Sequence, residues 1–288
     1  MQSNLTNYTF SLYQLYYTFS IIFLNKGMPY INCNNASLFY TDEGSGEETI
    51  IFSHGLLFSH EMFRAQIDYF KARYRCIAYD HRGQGKSEVT QSGYDMDSLF
   101  LDAVALIENL QLSAVHFVGL SMGGFVGMRL AARRPHLIKK IVLMETSADE
   151  EVNKLKYNAL NLIFRFAGSK PIHKKIMNIL FGKTFLTDKG RAEEQTHWTN
   201  HMLNLKKSIT KPVQGVIDRN SIYDEISGIK VPTLVMVGDE DIATTSDKAR
   251  RIHKQINGSV LEIISGAGHS SSIENPKDVN RIIDSFLG

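Results

Sequence analysis

Cysteine is nearly absent from this 288-residue sequence, which has only Cys33 and Cys76. Two thiols allow neither a disulfide framework nor a four-cysteine zinc site, and they fit a reducing, cytoplasmic setting. An excess of charge of either sign is missing as well. The 32 Lys and Arg against 30 Asp and Glu leave a net +2, too little to suggest a nucleic-acid or membrane-surface partner. Beyond the first residues, no run approaches the roughly 18 consecutive apolar residues of a membrane helix. Internal repeats and low-complexity tracts are lacking too. What remains is 43% hydrophobic and 22% charged, the composition of an ordinary folded protein. The length suits one large domain, or a core with a smaller insert.

The first 27 residues stand apart. They are rich in Tyr, Phe, Ser and Asn, with a short apolar run at Ile21-Ile22-Phe23-Leu24. A secretory signal opens with basic residues, whereas the first cation here, Lys26, follows the apolar run. Residues 1–27 therefore read as a dispensable extension, with the folded chain beginning at Met28-Pro29-Tyr30. The Asn-x-Thr triplets at Asn4 and Asn7 matter only in a secreted chain.

From Tyr30 onward, hydrophobic periodicity predicts a hairpin around Asn34-Asn35, since both residues tolerate left-handed backbone. Thr49–Phe52, Tyr74–Tyr79, Ala114–Leu120, Ile138–Met144, Thr233–Val237 and Leu261–Ile264 are apolar runs of strand length. Helical spacing falls between them: Glu61–Lys71, the stretch through Phe100, Ala103, Ile107 and Leu110 with Asp95 or Asp97 as its cap, Phe125–Arg134, a helix from Ser246, and Asn275–Leu287. The alternation stops between about Thr146 and Gln214, where only amphipathic helices are legible. Alternation interrupted by a helical block predicts an α/β fold: a mostly parallel central sheet flanked by helices, with an inserted helical cap. The expected division is a core of residues 28–145 and 216–288 and a cap of 146–215.

The residues that carry chemistry lie at the ends of the strand runs. Gly119-Leu120-Ser121-Met122-Gly123 stands between a β-branched run and a helical pattern, a place where glycines are needed on both sides of a very tight turn. A serine hydroxyl becomes a nucleophile only when a base takes its proton, and the base is usually a histidine fixed by a carboxylate. Gly238-Asp239-Glu240-Asp241 follows the Thr233 run, and Gly266-Ala267-Gly268-His269 follows the Leu261 run. Serine, acid and histidine thus occur in the chain order that one serine-hydrolase architecture uses. The pattern leaves Asp239 and Asp241 both open as the acid.

Five motifs in order complete the pattern: Ser53-His54-Gly55-Leu56-Leu57, Asp80-x-Arg82-Gly83-x-Gly85-x-Ser87, Gly119-x-Ser121-x-Gly123-Gly124, Gly238-x-x-Asp241, and Gly268-His269 followed by Glu274-x-Pro276. Together they resemble the α/β-hydrolase superfamily, in particular its 3-oxoadipate enol-lactonase-like and small carboxylesterase-like branch, from about Pro29 to Gly288. The resemblance implies a triad of Ser121, Asp241 and His269. It implies an oxyanion hole from the backbone N–H groups of Leu56 and Met122, with His54, Gly55, Gly119 and Gly123 in support. It selects Asp241 over Asp239 and leaves Glu145 as a second acid position used by some relatives. Thr244-Thr245 departs from the proline that many relatives carry in the acid loop.

Two other patterns are set aside. Gly85-Lys86-Ser87 looks like the tail of a phosphate-binding loop, but that motif needs glycine where Asp80 stands. His197 and His201 share a helical face as zinc ligands do, yet Trp198 occupies the position of the general-base glutamate. His54 precedes the serine and is read as a brace for the oxyanion loop rather than as the base.

The expectation is a serine hydrolase of a small carboxylic ester or lactone that needs no cofactor and no metal. The same triad also serves C–C bond hydrolysis, acyl transfer and cofactor-free haloperoxidase chemistry, and the fold also serves small-molecule receptors. Apolar cap residues suggest an apolar pocket wall. Lys154, Lys156, Arg165, Lys174 and Lys175 leave room for an anionic substrate. A chain shortened to begin at Met28 is expected to keep full activity in a hydrolysis assay, and failure of that chain to fold rejects the assignment of residues 1–27 as dispensable.

Overall fold

A computed structural model describes residues 29–288; the expectations for residues 1–27 and for Met28 lie outside the described residues. The hairpin forms as expected. β1 (Tyr30–Cys33) turns through Asn34 and Asn35, at φ of 46° and 60°, into β2 (Ala36–Glu43). Two consecutive left-handed residues give the turn whose twist matches that of the strands it joins.

β3 (Thr49–Ser53), β4 (Arg75–Tyr79), β5 (Val115–Leu120), β6 (Ile138–Met144), β7 (Thr233–Gly238) and β8 (Val260–Ile264) complete one eight-stranded sheet in the order β1-β2-β4-β3-β5-β6-β7-β8. Pairing is antiparallel for β1–β2 and β2–β4 and parallel from β4 through β8. The apolar runs of β3 to β7 are explained by burial on both faces, whereas the edge strand β8 leaves Val260 and Ile263 exposed. Along β3, Ile51 joins one core while Ile50 and Phe52 join the other. β6 and β7 divide likewise, with Ile141, Leu143, Val235 and Val237 on the first face and Val142, Met144, Leu234 and Met236 on the second. At about 25 cal/mol per Å², burying each such side chain contributes roughly 1.5–3 kcal/mol.

α1 (Arg64–Phe70), α2 (Met96–Asn109) and α3 (Met122–Arg133) follow β3, β4 and β5. Two boundaries differ from the sequence reading. The first helix opens with a 3₁₀ turn at His60–Phe63, capped by the Ser59 hydroxyl. The helix after β5 begins at Met122 rather than Phe125, because close packing against the sheet outweighs the poor helix propensity of Gly123 and Gly124. Asp95 is the cap of α2, accepting from the Ser98 N–H, while Asp97 pairs with Arg129 and Arg133.

Past β6 come five helices in succession: α4 (Lys154–Ala167), α5 (His173–Leu180), α6 (Lys183–Thr187), α7 (Ala192–Leu203) and α8 (Thr210–Ile217). α5 and α7 supply Ile176, Met177, Leu180, Trp198 and Met202 to the core on the β3 Phe52 face. α8 runs two residues past the expected cap boundary at 215. α9 (Ser246–Gln255), a single turn α10 (Ser271–Glu274) that the periodicity does not foretell, and α11 (Pro276–Leu287) close the chain.

From β3 the chain steps to β4 on one side and, through α2, to β5 on the other, so its order reverses between β3 and β5. That switch leaves a crevice at the carboxyl ends of the strands, where such sheets bind ligands. The glycine-rich loop after β4 is held beside the crevice by a buried ion pair: Arg82 Nε donates to Asp102 Oδ2 at 2.7 Å, and a second guanidinium nitrogen bonds Asp102 Oδ1 and, at 2.9 Å, the Asn34 carbonyl. Asp102→Ala leaves the Arg82 charge buried without its partner and is expected to cost about 3–5 kcal/mol. Denaturant unfolding measures it, and a loss below about 1 kcal/mol contradicts this role for the pair.

Candidate active site

Backbone crowding builds the turn between β5 and α3. A Cβ on Gly123 would lie 1.9 Å from the Ser53 carbonyl oxygen, and one on Gly119 would lie 2.4 Å from the Gly123 carbonyl oxygen. Only glycine lets strand and helix come this close. Between them Ser121 is held at φ 53° and ψ −109°, an unfavourable region for a residue with a Cβ, at a cost on the order of 1–3 kcal/mol. The strain turns the Ser121 side chain out of the sheet into the crevice.

Three of the residues singled out in the sequence meet there from three strand ends. His269 Nε2 lies 2.9 Å from Ser121 Oγ, and His269 Nδ1 lies 2.8 Å from Asp241 Oδ2. All three side chains are buried. Asp241 is fully hydrogen-bonded: Oδ1 accepts from the N–H groups of Ala243 and Thr244 at 2.7 and 3.0 Å, and Oδ2 also accepts from the Thr244 hydroxyl at 2.8 Å. Burial pushes the Asp241 pKa up, but the facing His269 and the Thr244 donors outweigh it and hold it below the usual aspartate value. Asp239 is turned elsewhere, accepting from the Gly266 N–H at 2.8 Å.

Beside Ser121 runs the loop after β3. A Cβ on Gly55 would be 3.2 Å from a Leu120 methyl and 3.5 Å from Ser121 Cβ, so this backbone lies against the serine. Among the described residues, neither the Leu56 N–H nor the Met122 N–H has a hydrogen-bond acceptor. Met122 opens α3, where the helix dipole adds to the pull on an anion. His54 sits under the loop. Its Nδ1 donates to the Gly55 carbonyl at 2.7 Å and its Nε2 accepts from the His81 N–H at 3.0 Å. Burial lowers its pKa to about 4, so the ring is neutral and structural at pH 7.

Two other residues shape the site without having been singled out for it. Thr244 ties the acid loop to its own aspartate by two bonds; the local signal is the Asp-x-x-Thr spacing of such side-chain turns. Glu274, read only as part of a motif, accepts from the N–H groups of Gly268 at 3.0 Å and Ser270 at 3.0 Å, on either side of His269. It also accepts from the Gly182 N–H of the cap at 2.8 Å. Nothing local in the sequence signals the partner across 92 positions.

Of the patterns set aside, Asp80 uses its carboxylate on the His60 and Lys86 N–H groups, holding the glycine-rich loop closed. His201 Nε2 lies 2.9 Å from the Leu57 carbonyl, and His197 is exposed. Among the described residues no group of three or more His, Cys, Asp or Glu side chains converges as metal ligands would.

Over the triad lies a cavity of about 160 Å³ between the core and the cap. Ser121 and His269 are at its floor; Phe125, Leu160, Phe164 and Ile176 are among its apolar walls. Its charged wall residues, Arg219 and Glu151, pair with one another at 3.2 Å, and Arg219 also lies 4.6 Å from the Phe125 ring. The wall therefore offers a substrate no net charge.

A family model described as alpha/beta hydrolase fold matches residues 48–276. The chain is 30% identical over 261 residues to the AB hydrolase superfamily protein YisY of Bacillus subtilis, covering 88% of this chain and 96% of that one. It is 26% identical over 261 residues to 3-oxoadipate enol-lactonase 2 of Acinetobacter baylyi, covering 89% and 95%. The crystal structure of the enol-lactonase from Burkholderia xenovorans superposes with a TM-score of 0.84 at 25% identity, covering 90% and 99%.

Glu145, the alternative acid position, is fully buried at the end of β6. One carboxyl oxygen accepts from the Gly238 N–H at 3.1 Å and the other has no partner among the described residues. Burial, and then the nearby Asp241 charge, push its pKa well above the usual glutamate value. The folded state thus keeps this proton to higher pH than the unfolded chain, so stability falls as pH rises through the usual glutamate range toward neutrality. Glu145→Gln removes that loss and is expected to raise Tm more at neutral than at acidic pH. A Tm change equal at both pH values contradicts this upward shift.

Proposed function

This chain belongs to the alpha/beta hydrolase fold family, and on that premise we propose that it is a serine hydrolase of small carboxylic esters or lactones. One observation carries the reading: the unbroken hydrogen-bonded line from Ser121 Oγ through His269 to Asp241, on the floor of an apolar cavity.

In this reading a bound carbonyl stands over Ser121. His269 Nε2 takes the hydroxyl proton as Oγ attacks, while Asp241 holds Nδ1–H and stabilises the imidazolium that forms. Negative charge gathers on the carbonyl oxygen, where the Leu56 and Met122 N–H groups receive it. Such a donor is worth about 10²–10³ in rate. His269 returns its proton to the leaving alkoxide, and the acyl group remains on Ser121. Water, deprotonated by the same imidazole, then releases the acid. A lactone follows the same steps, with its leaving oxygen still tethered to the acyl group. A catalytic base of this kind contributes about 10²–10⁴. The enol-lactonases among the similar proteins support an ester or lactone carbonyl as the target. The self-neutralised Arg219–Glu151 wall supports an uncharged, apolar acyl part over an anionic one.

Ser121→Ala is expected to lower ester turnover by about 10⁴ or more while the fold, followed by circular dichroism, stays intact. The parent is expected to take a fluorophosphonate label on Ser121. Turnover that survives the substitution, or a parent that takes no label, ends this reading.

A further inference from the structure

The formal charge of +2 hides a strong local imbalance. Lys154, Lys156, Arg165, Lys170, Lys174, Lys175 and Lys183 fall in a stretch, from Val152 to Thr187, that has no Asp or Glu at all. Among the described residues only Lys154 has an acidic partner, Glu150. The cations of α4 flank an apolar stripe. Leu155, Ala159, Leu162, Ile163 and Phe166 recur at helical spacing on one face of α4 and are exposed, Leu155 by 89% and Phe166 by 72%. Val152, just before the helix, is 74% exposed. The opposite face of the same helix carries Tyr157, Leu160, Asn161 and Phe164, which line the cavity over Ser121. α4 is therefore apolar on two faces, and only the inner one is covered by a described element.

Scattered single apolar side chains on a surface need no explanation, but a contiguous helical stripe edged by unpaired cations does. We propose that the outer face of α4 docks the protein on an anionic phospholipid bilayer, lying in the plane of the headgroups. Charge decides the occupant. A second copy of this chain on the same face would set one basic rim against another, whereas anionic headgroups complement it. Lysine and arginine stems extend from the stripe toward the headgroups while Leu155, Leu162 and Phe166 enter the acyl boundary. Docking rests on the outer face alone. A second consequence rests on the hydrolase reading: the helix that meets the lipid is also a wall of the cavity, so an apolar ester dissolved in the bilayer reaches Ser121 along α4.

The full-length protein is sedimented with vesicles of phosphatidylcholine alone, or of equal parts phosphatidylcholine and phosphatidylglycerol. Co-sedimentation with the anionic vesicles is expected, and little with the neutral ones. Leu155→Ser with Phe166→Ser should weaken it at least about ten-fold. Lys156→Gln and Arg165→Gln should each weaken it about five-fold. Turnover of a short water-soluble ester should be unchanged in every variant, which also shows that each one folds. Equal binding to both vesicle types, no binding to either, or variants that bind as the parent does overturns the proposal. A parent dimer that Leu155→Ser with Phe166→Ser converts to monomer overturns it too, because the stripe then belongs to a second copy. Loss of docking with ester turnover retained leaves the hydrolase reading standing, and loss of turnover in the parent with docking retained removes only that reading.

Discussion

The rest of this structure depends on a steric constraint: the backbone of β5 and α3 must pass the backbone of β3 with no side chain between them. The Gly119 and Gly123 positions admit no Cβ: the Gly123 carbonyl fills the space at Gly119, and the Ser53 carbonyl fills it at Gly123. This contact fixes the angle at which α3 leaves the sheet, and so the place of Ser121. It also brings the loop after β3 against the serine, beside the Met122 that opens α3. The strain at Ser121 is maintained by packing on every side, with Phe52, Val118, Leu120 and Met122 all fully buried.

A second layer of order comes from three buried carboxyls in different surroundings. Asp241 gathers four hydrogen bonds and stays charged. Glu274 is given three backbone donors, against a burial that pushes its pKa up. Glu145 has one donor and a negative neighbour, and burial with that neighbour pushes its pKa up. Distance from Ser121 in the sequence does not separate these roles; the supply of N–H and O–H donors does. A carboxyl is a useful partner for an imidazole only where its charge is held by other donors.

Much of this was legible in the residues because the relevant forces are local. The continuous apolar runs announce strands buried on both faces, Asn34-Asn35 announces its turn, and glycines on either side of Ser121 announce a crowded elbow. The residues brought together at the site arrive in chain order because each follows its own strand. What was not legible depends on contacts across the chain. Glu274 meets Gly182 only once the cap has folded, and α3 starts three residues early because tertiary packing overrides the propensity of two glycines. Charge is the clearest case. A sum over the chain discards position, and the +2 hides seven cations in one acid-free stretch of the cap.

The two backbone donors on Glu274 Oε2 have a mechanical consequence. Gly182 caps the start of α6 in the cap, Gly268 precedes the imidazole, and their main chains are close enough that a Cβ on Gly268 would meet Gly182 N at 2.2 Å. One carboxyl oxygen thus rivets this corner of the cap to the segment carrying His269. Lifting the cap there would drag the imidazole off Ser121 and strip a buried oxygen of its donors. Breathing that leaves this rivet intact opens at the far edge, where α4 has one face in the cavity and the other bare of any described element.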